Sequence, residues 1–408
     1  MTAGHPDTVN SKPVSFADIT TMRIGGRIGK FIQPASRAEF ILSLVDADSE
    51  HLPLCVIGGG SNMLVSDDDF NGVVVRDARR KVSILDEAVP AGPGEPKLVH
   101  VEAEAGTNWD DFVEYTIRMG MEGIEGLSGI PGTVGASVVQ NIGAYGQEAA
   151  SAVSSVQVWD RKAQKVINLR KEEMGFGYRT SLLKKTMYEG MDERTNRRTP
   201  SQYFPSPRYI VLSVVFELRH SATGVVGMAQ LAKALQARVG ERIAASDIRT
   251  AVLQIRTGKG MVEDPSRYGN PWMKGTKEMT EGRNAHQVDG IQPDYDRWSC
   301  GSFFVNPVIT PAQADAVLPV DAPRFESALP DGSEGIKASA AWLIDRAGFH
   351  KGFTVNGRAA LSSRHTLALT NRGGARSDDI IRLARTIREG VQQAFNIDLV
   401  PEPVFIGL

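Results

Sequence analysis

Cysteine is scarce in this chain: Cys55 and Cys300 stand alone among 408 residues. That excludes a disulfide framework and a cysteine-based zinc site. None of the seven histidines forms a pair at metal-ligand spacing, so no metal is assigned. Charge of one sign is also lacking. The net charge of -2 leaves no basic field of the kind that binds nucleic acid. No apolar run approaches the ~18 residues of a membrane span, and Met1 to Thr20 has no apolar core of a secretory signal. These absences predict a cytoplasmic globular protein with neither nucleic acid nor membrane as partner; a monomer is the working expectation, which nothing in the residues decides.

What is present fits that class. With 41% apolar and 23% charged residues, the composition excludes disorder over the whole chain. The length suggests two to three domains at about 150 residues each. Glycine is in excess, with 41 residues, about 10% against a usual ~7%.

The chain reads as α+β throughout. Residues 1 to about 15 are a polar tail. Ser36-Arg37-Ala38-Glu39 has the form of a capping box, opening a helix with Phe40, Ile41, Leu44 and Val45 on one face. Leu54 to Ile57, Gly72 to Arg76 and Leu98 to Ala105 read as strands, and Ala88 to Pro96 as a surface loop. Asn108 caps a helix that Gly120 ends. Val156–Trp159 and Val166–Leu169 form a hairpin, followed by a strand at Tyr209–Phe216. Asp247–Arg256, Ala338–Arg346 and Asp378–Phe395 are helical, the last with Ser377 as N-cap. Met187–Pro207 and Val262–Trp298 lack periodicity and read as insertions or long loops.

Gly120, Gly123, Gly126, Gly129, Gly132 and Gly135 recur at every third position. Collagen needs that period over a far longer run with abundant proline. Two readings stay open: an irregular connection that needs positive φ angles, or backbone N–H groups left bare to approach a pyrophosphate or a flavin ring. Gly58-Gly59-Gly60-Ser61-Asn62 is a second such turn, directly after a buried strand. It misses the dinucleotide fingerprint because Met63 stands where the third glycine belongs, and no Gly-Lys-Ser/Thr makes it a Walker loop.

Five stretches, in order, together resemble the UDP-N-acetylenolpyruvoylglucosamine reductase family. They are Ile57–Val65; Ser128–Ala136 with Gln140–Glu148; Phe176-Gly177-Tyr178-Arg179-Thr180-Ser181; Gly301–Pro307; and Pro401–Gly407. The resemblance covers roughly residues 16 to 408 apart from the insertions. It implies a FAD-binding fold of the vanillyl-alcohol-oxidase type in two subdomains, 15–85 and 86–258, with the tail 400–408 returning to the first. An inserted loop region, 259–299, and an α+β substrate-binding domain, 300–399, would follow. The resemblance further implies noncovalent FAD, NADPH as co-substrate, and reduction of an enolpyruvyl ether carried by a UDP-sugar.

The same resemblance assigns roles. FAD would be held by Ile57, Gly58, Gly59, Gly60, Ser61, Asn62 and Met63, and by Ile130, Pro131, Gly132, Thr133, Gly135, Ala136, Gln140, Asn141, Gly143, Ala144 and Tyr145. Arg179 would stabilise charge developing on the substrate carboxylate, as a planar, permanently charged guanidinium is suited to do. Ser302 would protonate the α-carbon; its value as an acid must come from position, since a free hydroxyl is a poor one. Cys300 is intrinsically the better acid, with a usual pKa near ~8.5, but the family pattern places Ser302 at the donor position. Glu402 would sit near the substrate carboxylate with a raised pKa. Substrate contacts would come from Tyr178, Tyr209, Lys259, Asn306, Phe325 and His365. Val404 stands where the family often has arginine, and Met261–Trp298 is longer than usual. Two alternatives remain: another FAD oxidoreductase of this fold acting on a hydroxy acid or alcohol, and a non-catalytic flavin- or sugar-nucleotide-binding regulator.

Overall fold

The computed structural model describes residues 13–86, 97–188, 205–278, 292–329 and 331–408. The expected loop at 88–96 and residues 189–204 of the expected insertion lie outside these. Near the N-terminus a three-stranded parallel sheet runs in the order Ile28–Ile32, Phe70–Val75, Leu54–Val56. Helix Arg37–Ser49 crosses it with Phe40, Leu44 and Ala47 buried. Its start is closed reciprocally: the Glu39 N–H donates to Ser36 Oγ at 3.2 Å, and the Ser36 N–H donates to Glu39 Oε2 at 3.3 Å.

A second sheet is antiparallel. Its order is Lys165–Arg170, Val153–Asp160, Tyr209–His220, Leu98–Glu104, Val82–Ile84, with Met121–Glu122 added at the end of the long central strand. The central strand is apolar and mostly buried because both its faces are covered: Val214 and Phe216 enter one core, Ile210 and Leu212 another. Leu98–Glu104 alternates between buried and more open positions, the mark of a sheet covered on one face. Helix Trp109–Arg118 packs there, and Trp109, Phe112 and Phe216 form a ring cluster with centroids 4.9–6.0 Å apart. Asn108 Oδ1 accepts from the N–H groups of Asp110 and Asp111, the expected cap.

A third unit follows residue 300. Strands Val308–Ile309, Glu334–Ala338 and Arg324–Ala328 form a small antiparallel sheet. Helices Ala340–Arg346 and Ser377–Phe395 share a core with Phe303, Phe304, Leu361 and Leu369. The chain then turns back, and Val404–Ile406 pairs in parallel with Met63–Val65.

Two expectations need correction. Arg376 occupies the cap position and Ser377 is the first helical residue. The N–H and Oγ of Ser377 both donate to Asp67 Oδ2 at 2.8 Å. The carboxylate satisfying this helix start therefore comes from a loop far away in sequence. The stretch after Val262 is also not a plain loop in its described part. It forms 3₁₀ turns at Pro265–Gly269 and Tyr295–Arg297 and buries Arg267, Tyr268 and Met273.

Candidate active site

The two glycine loops meet. Strand Leu54–Val56 delivers Gly58–Asn62 to the surface of the parallel sheet, and Ser128–Ala136 comes up opposite, running into the short helix Val134–Val139. The contact is so close that a Cβ on Gly59 would lie 2.7 Å from the Gly132 Cα, and one on Gly58 2.6 Å from Thr133 Oγ1. Ser61 Oγ donates across the seam to the Pro131 carbonyl at 2.8 Å. Between and beyond the loops opens a cavity of ≈ 570 Å³, within the range of small-molecule and cofactor sites.

The loop residues line this cavity, and several of their carbonyls are already engaged. The Gly59 carbonyl is taken by Arg267 at 2.9 Å, that of Gly60 by the Thr21 N–H at 3.0 Å, and that of Asn62 by the Val404 N–H at 3.0 Å. In the opposite loop the Gly132 carbonyl accepts from the Trp109 N–H at 3.1 Å. The N–H groups of Gly58, Gly59, Gly60, Ser61, Asn62, Gly132 and Thr133 have no hydrogen-bond partner among the described residues. Loops whose carbonyls are engaged by other residues and whose N–H groups are unpaired have the donor set of an anion nest. A pyrophosphate-bearing cofactor such as FAD fits that donor set.

Every residue expected to hold FAD lines the cavity except Asn141. Asn141 is 1% exposed and acts as a strut. Its Nδ2 donates to Glu148 Oε2 at 2.9 Å and to the Gly177 carbonyl at 3.0 Å, and its Oδ1 accepts from the Ala150 N–H. Gly177 opens the turn that carries Arg179. Gly177 and Thr180 bond each other in both directions, leaving Tyr178 and Arg179 at the tip. Arg179 sits at φ +55°, a left-handed conformation that costs a non-glycine residue about 1–3 kcal/mol and clusters at functional sites.

From that turn the guanidinium reaches into the cavity. Its Nη2 donates to the Gly143 carbonyl at 2.8 Å, and its Nε lies 3.3 Å from Glu402 Oε1. The Glu402 side chain is 11% exposed and also accepts from Gln140 Nε2 at 3.2 Å. Burial pushes its carboxyl up, while the charges of Arg179 and Lys184 pull it back. The backbone brings Ser302 to the same place. The Glu402 N–H donates to the Phe303 carbonyl at 2.9 Å and the Val305 N–H to the Val400 carbonyl at 3.0 Å, so the returning tail docks along the Ser302 loop. Ser302 lines the cavity, and no described residue bonds its hydroxyl. Cys300 is 3% exposed, and burial pushes its thiol well up from the usual range.

Tyr209, Lys259, Asn306 and His365 also line the cavity. Lys259 Nζ donates to Gln230 Oε1 at 3.0 Å. His365 is pulled down to about 4, first by burial and then by Lys259, Lys351 and Arg256, so its imidazole is neutral near pH 7. Tyr178 stands just outside, its ring between Arg179 at 5.3 Å and Lys337 Nζ at 5.1 Å. Phe325 is not part of the cavity. It lies 52% exposed on the edge strand Arg324–Ala328, across from Lys337.

The sequence reading missed Lys184 and Arg256. Lys184 lines the cavity beside Glu402 and donates from Nζ to the Arg179 carbonyl at 3.3 Å. Arg256 is 8% exposed on helix Ala245–Gly258, one and two turns beyond the buried Val252 and Ile248. A charge at the i+4 position of an apolar stripe was the available signal.

Residues 292–406 match the family model for the UDP-N-acetylenolpyruvoylglucosamine reductase C-terminal domain, and residues 29–169 match a FAD binding domain. The UDP-N-acetylenolpyruvoylglucosamine reductase of Thermobifida fusca is 39% identical over 404 residues, covering 98% of each chain. This chain belongs to that family. The Mycolicibacterium smegmatis member is 38% identical over 403 residues, covering 97% of this chain and 95% of its own. The crystal structure of the Thermus caldophilus reductase superposes with a TM-score of 0.55 at 24% identity, covering 97% of this chain and 98% of that one. Family and fold thus agree: a FAD binding domain is joined to the family's C-terminal domain.

Proposed function

We propose that this cleft reduces the enolpyruvyl ether of UDP-N-acetylenolpyruvoylglucosamine to the lactyl ether of UDP-N-acetylmuramate, a step in peptidoglycan precursor synthesis, with Arg179, Glu402 and Ser302 acting at the reacting carbons. The observation that carries this assignment is the pairing of Arg179 with Glu402 at 3.3 Å, beside the unbonded Ser302 hydroxyl, in the cavity lined by both glycine loops. FAD, when bound there, supplies two-electron transfer from NADPH to the substrate β-carbon.

The side chains do the rest. Arg179 binds the substrate carboxylate and meets the negative charge that builds on it and on the α-carbon. Glu402, its carboxyl pushed up by burial, stands beside the same charge and holds the Arg179 guanidinium at 3.3 Å. Ser302 donates the proton to the α-carbon from a position fixed by the Gly301 turn and the docked tail. We assign the uridine diphosphate group to Lys259, Tyr209, Asn306 and His365, each of which lines the cavity. The subdomain limits 15–85 with 400–408, 86–258 and 300–399 remain our division of the chain. We take the protein as a cytoplasmic monomer acting on a small molecule. No described helix is long and apolar enough to cross a membrane, and no described cluster of His, Cys, Asp or Glu is arranged to hold a metal.

The test is anaerobic stopped-flow absorbance. NADPH should bleach the flavin of the purified yellow protein, and the enolpyruvyl sugar nucleotide should restore the colour. Reduction of the flavin by a hydroxy acid or alcohol, with reoxidation by added oxygen and none by the sugar nucleotide, would favour the other oxidoreductase reading. A protein that cannot be loaded with FAD would remove both.

A further inference from the structure

The segment Glu263–Glu278 has no part in the chemistry above, yet it touches both flavin loops. At its near end Arg267 is buried with its side chain 2% exposed. Its Nη2 donates to the Gly59 carbonyl at 2.9 Å and to the Ile19 carbonyl at 3.0 Å, and its Nη1 pairs with Glu263. In the middle, Asn270 Nδ2 donates to the Asp18 carbonyl at 3.2 Å, Trp272 packs edge-on against Phe31 at 5.7 Å, and Arg76 donates to the Trp272 carbonyl. At the far end Lys277 Nζ lies 2.9 Å from Asp110 Oδ2, and the Glu278 N–H donates to Asp111 Oδ2 at 2.7 Å. Asp110 in turn accepts from the Gly129 N–H, in the second flavin loop, at 2.7 Å.

The segment and the loops together line a second, small cavity. Gly58, Gly59, Gly132 and Thr133 line it from the loops, and Tyr268, Met273 and Thr276 from the segment. The four loop residues, with Glu263, line the main cavity as well. The two spaces therefore share a wall made of the cofactor loops.

We propose that Glu263–Glu278 is a strap that holds the cofactor cradle closed and sets how fast FAD leaves. The proposal rests on the reading of the cleft as the FAD site. A buried guanidinium must keep its acceptors, and one of those used by Arg267 is the Gly59 carbonyl of the cradle loop, while Ile19 holds the same nitrogen from the N-terminal helix. If Gly58–Asn62 relaxes outward, Arg267 loses the Gly59 carbonyl. An anion held by the loop N–H groups keeps the loop inward and so keeps the strap docked. Binding of FAD and docking of the strap are therefore linked, and each strengthens the other.

Two variants of the holoenzyme test this, Arg267→Met at the near anchor and Lys277→Met at the far one. Flavin release is read as recovery of FAD fluorescence after dilution. Arg267→Met should accelerate release about 10- to 100-fold, the scale expected for losing hydrogen bonds from a charged donor. Lys277→Met should act in the same direction by less. The gap between holo and apo Tm should shrink in both, because that gap measures bound-state linkage. A segment that only supports the fold would lower both Tm values together and leave the gap and the release rate at wild-type values; that result overturns the proposal. If Arg267→Met does not fold, Lys277→Met decides alone. Failure of the wild-type protein to take up FAD would instead sink the site reading beneath it.

Discussion

Gly59→Ala is the sharpest perturbation available, because the added atom meets backbone and nothing that can swing aside. Its Cβ would lie 2.7 Å from Gly132 Cα, 3.1 Å from Gly132 N and 3.4 Å from Gly132 C. Carbon atoms in contact prefer ~3.5–4.0 Å, so the loops must part by about 1 Å. Gly59 is not at positive φ, and alanine there meets no torsional objection. The cost is therefore steric, on the scale of about 1–3 kcal/mol for overpacking. The separation also moves the unpaired N–H groups of one loop away from those of the other, so the cost falls on the FAD complex. At ~1.4 kcal/mol per tenfold, FAD affinity should drop about 5- to 150-fold. Titration of apoprotein with FAD, followed by flavin fluorescence, measures this directly. Gly132→Ala provides the contrast: its Cβ would find only Ser61 Oγ at 3.4 Å, but at φ +136° the backbone itself forbids the side chain. An unchanged FAD affinity in Gly59→Ala would refute the claim that loop-to-loop contact builds the cradle.

Other outcomes follow from the same geometry. Ser302→Ala should still let NADPH bleach the flavin, while reoxidation by the enolpyruvyl substrate slows about 10²–10⁴-fold; Cys300→Ala, removing a buried and unfavourably ionised thiol, should reoxidise at the wild-type rate, and the reverse pattern would move the proton donor to Cys300. Arg179→Lys keeps the charge but loses the fork to Gly143 and Glu402, so it should fail to restore the second half-reaction, and the effects of Arg179 and Glu402 substitutions should be non-additive in double-mutant stopped-flow measurements. Glu402 also predicts a pH effect. Its folded pKa is raised, so the native state binds more protons than the unfolded one, and stability falls as pH rises from about 4.3 through the folded value. Glu402→Gln removes that loss, so the Tm of the wild type relative to the variant should decline with increasing pH; a flat difference would contradict a raised carboxyl.

Much of this cradle was legible because its glycines are local and dense. The motif order announced the two loops, and Arg179, Ser302 and Glu402 do face one cavity. Their reason was less legible. Gly59 is bare because Gly132 lies against it, some seventy residues on, not simply because a ligand must pass. Asn141 carries the motif letter of a cofactor contact but is a buried brace under the Arg179 turn. Phe325 came with the family resemblance as a substrate contact, yet the small sheet turns it to solvent. Ser377 has the right residue type for a cap, but Asp67 supplies the acceptor from another unit. In each case the deciding partner is far away in sequence, where neither a 3.6-residue nor a 2-residue period can report it.

The parallel pairing of Met63–Val65 with Val404–Ile406 has a consequence for the order of assembly. Among the described residues Met63–Val65 has no other strand beside it, and Val404 also supplies the donor for the Asn62 carbonyl. As the chain emerges during synthesis, its first flavin loop appears early but stays half-built until nearly everything else has followed. Contacts of such long sequence separation form late and slowly. The tail contact that completes the first loop is also the one that carries Glu402 to Arg179, so the cradle and the charged pair are finished by the same late pairing.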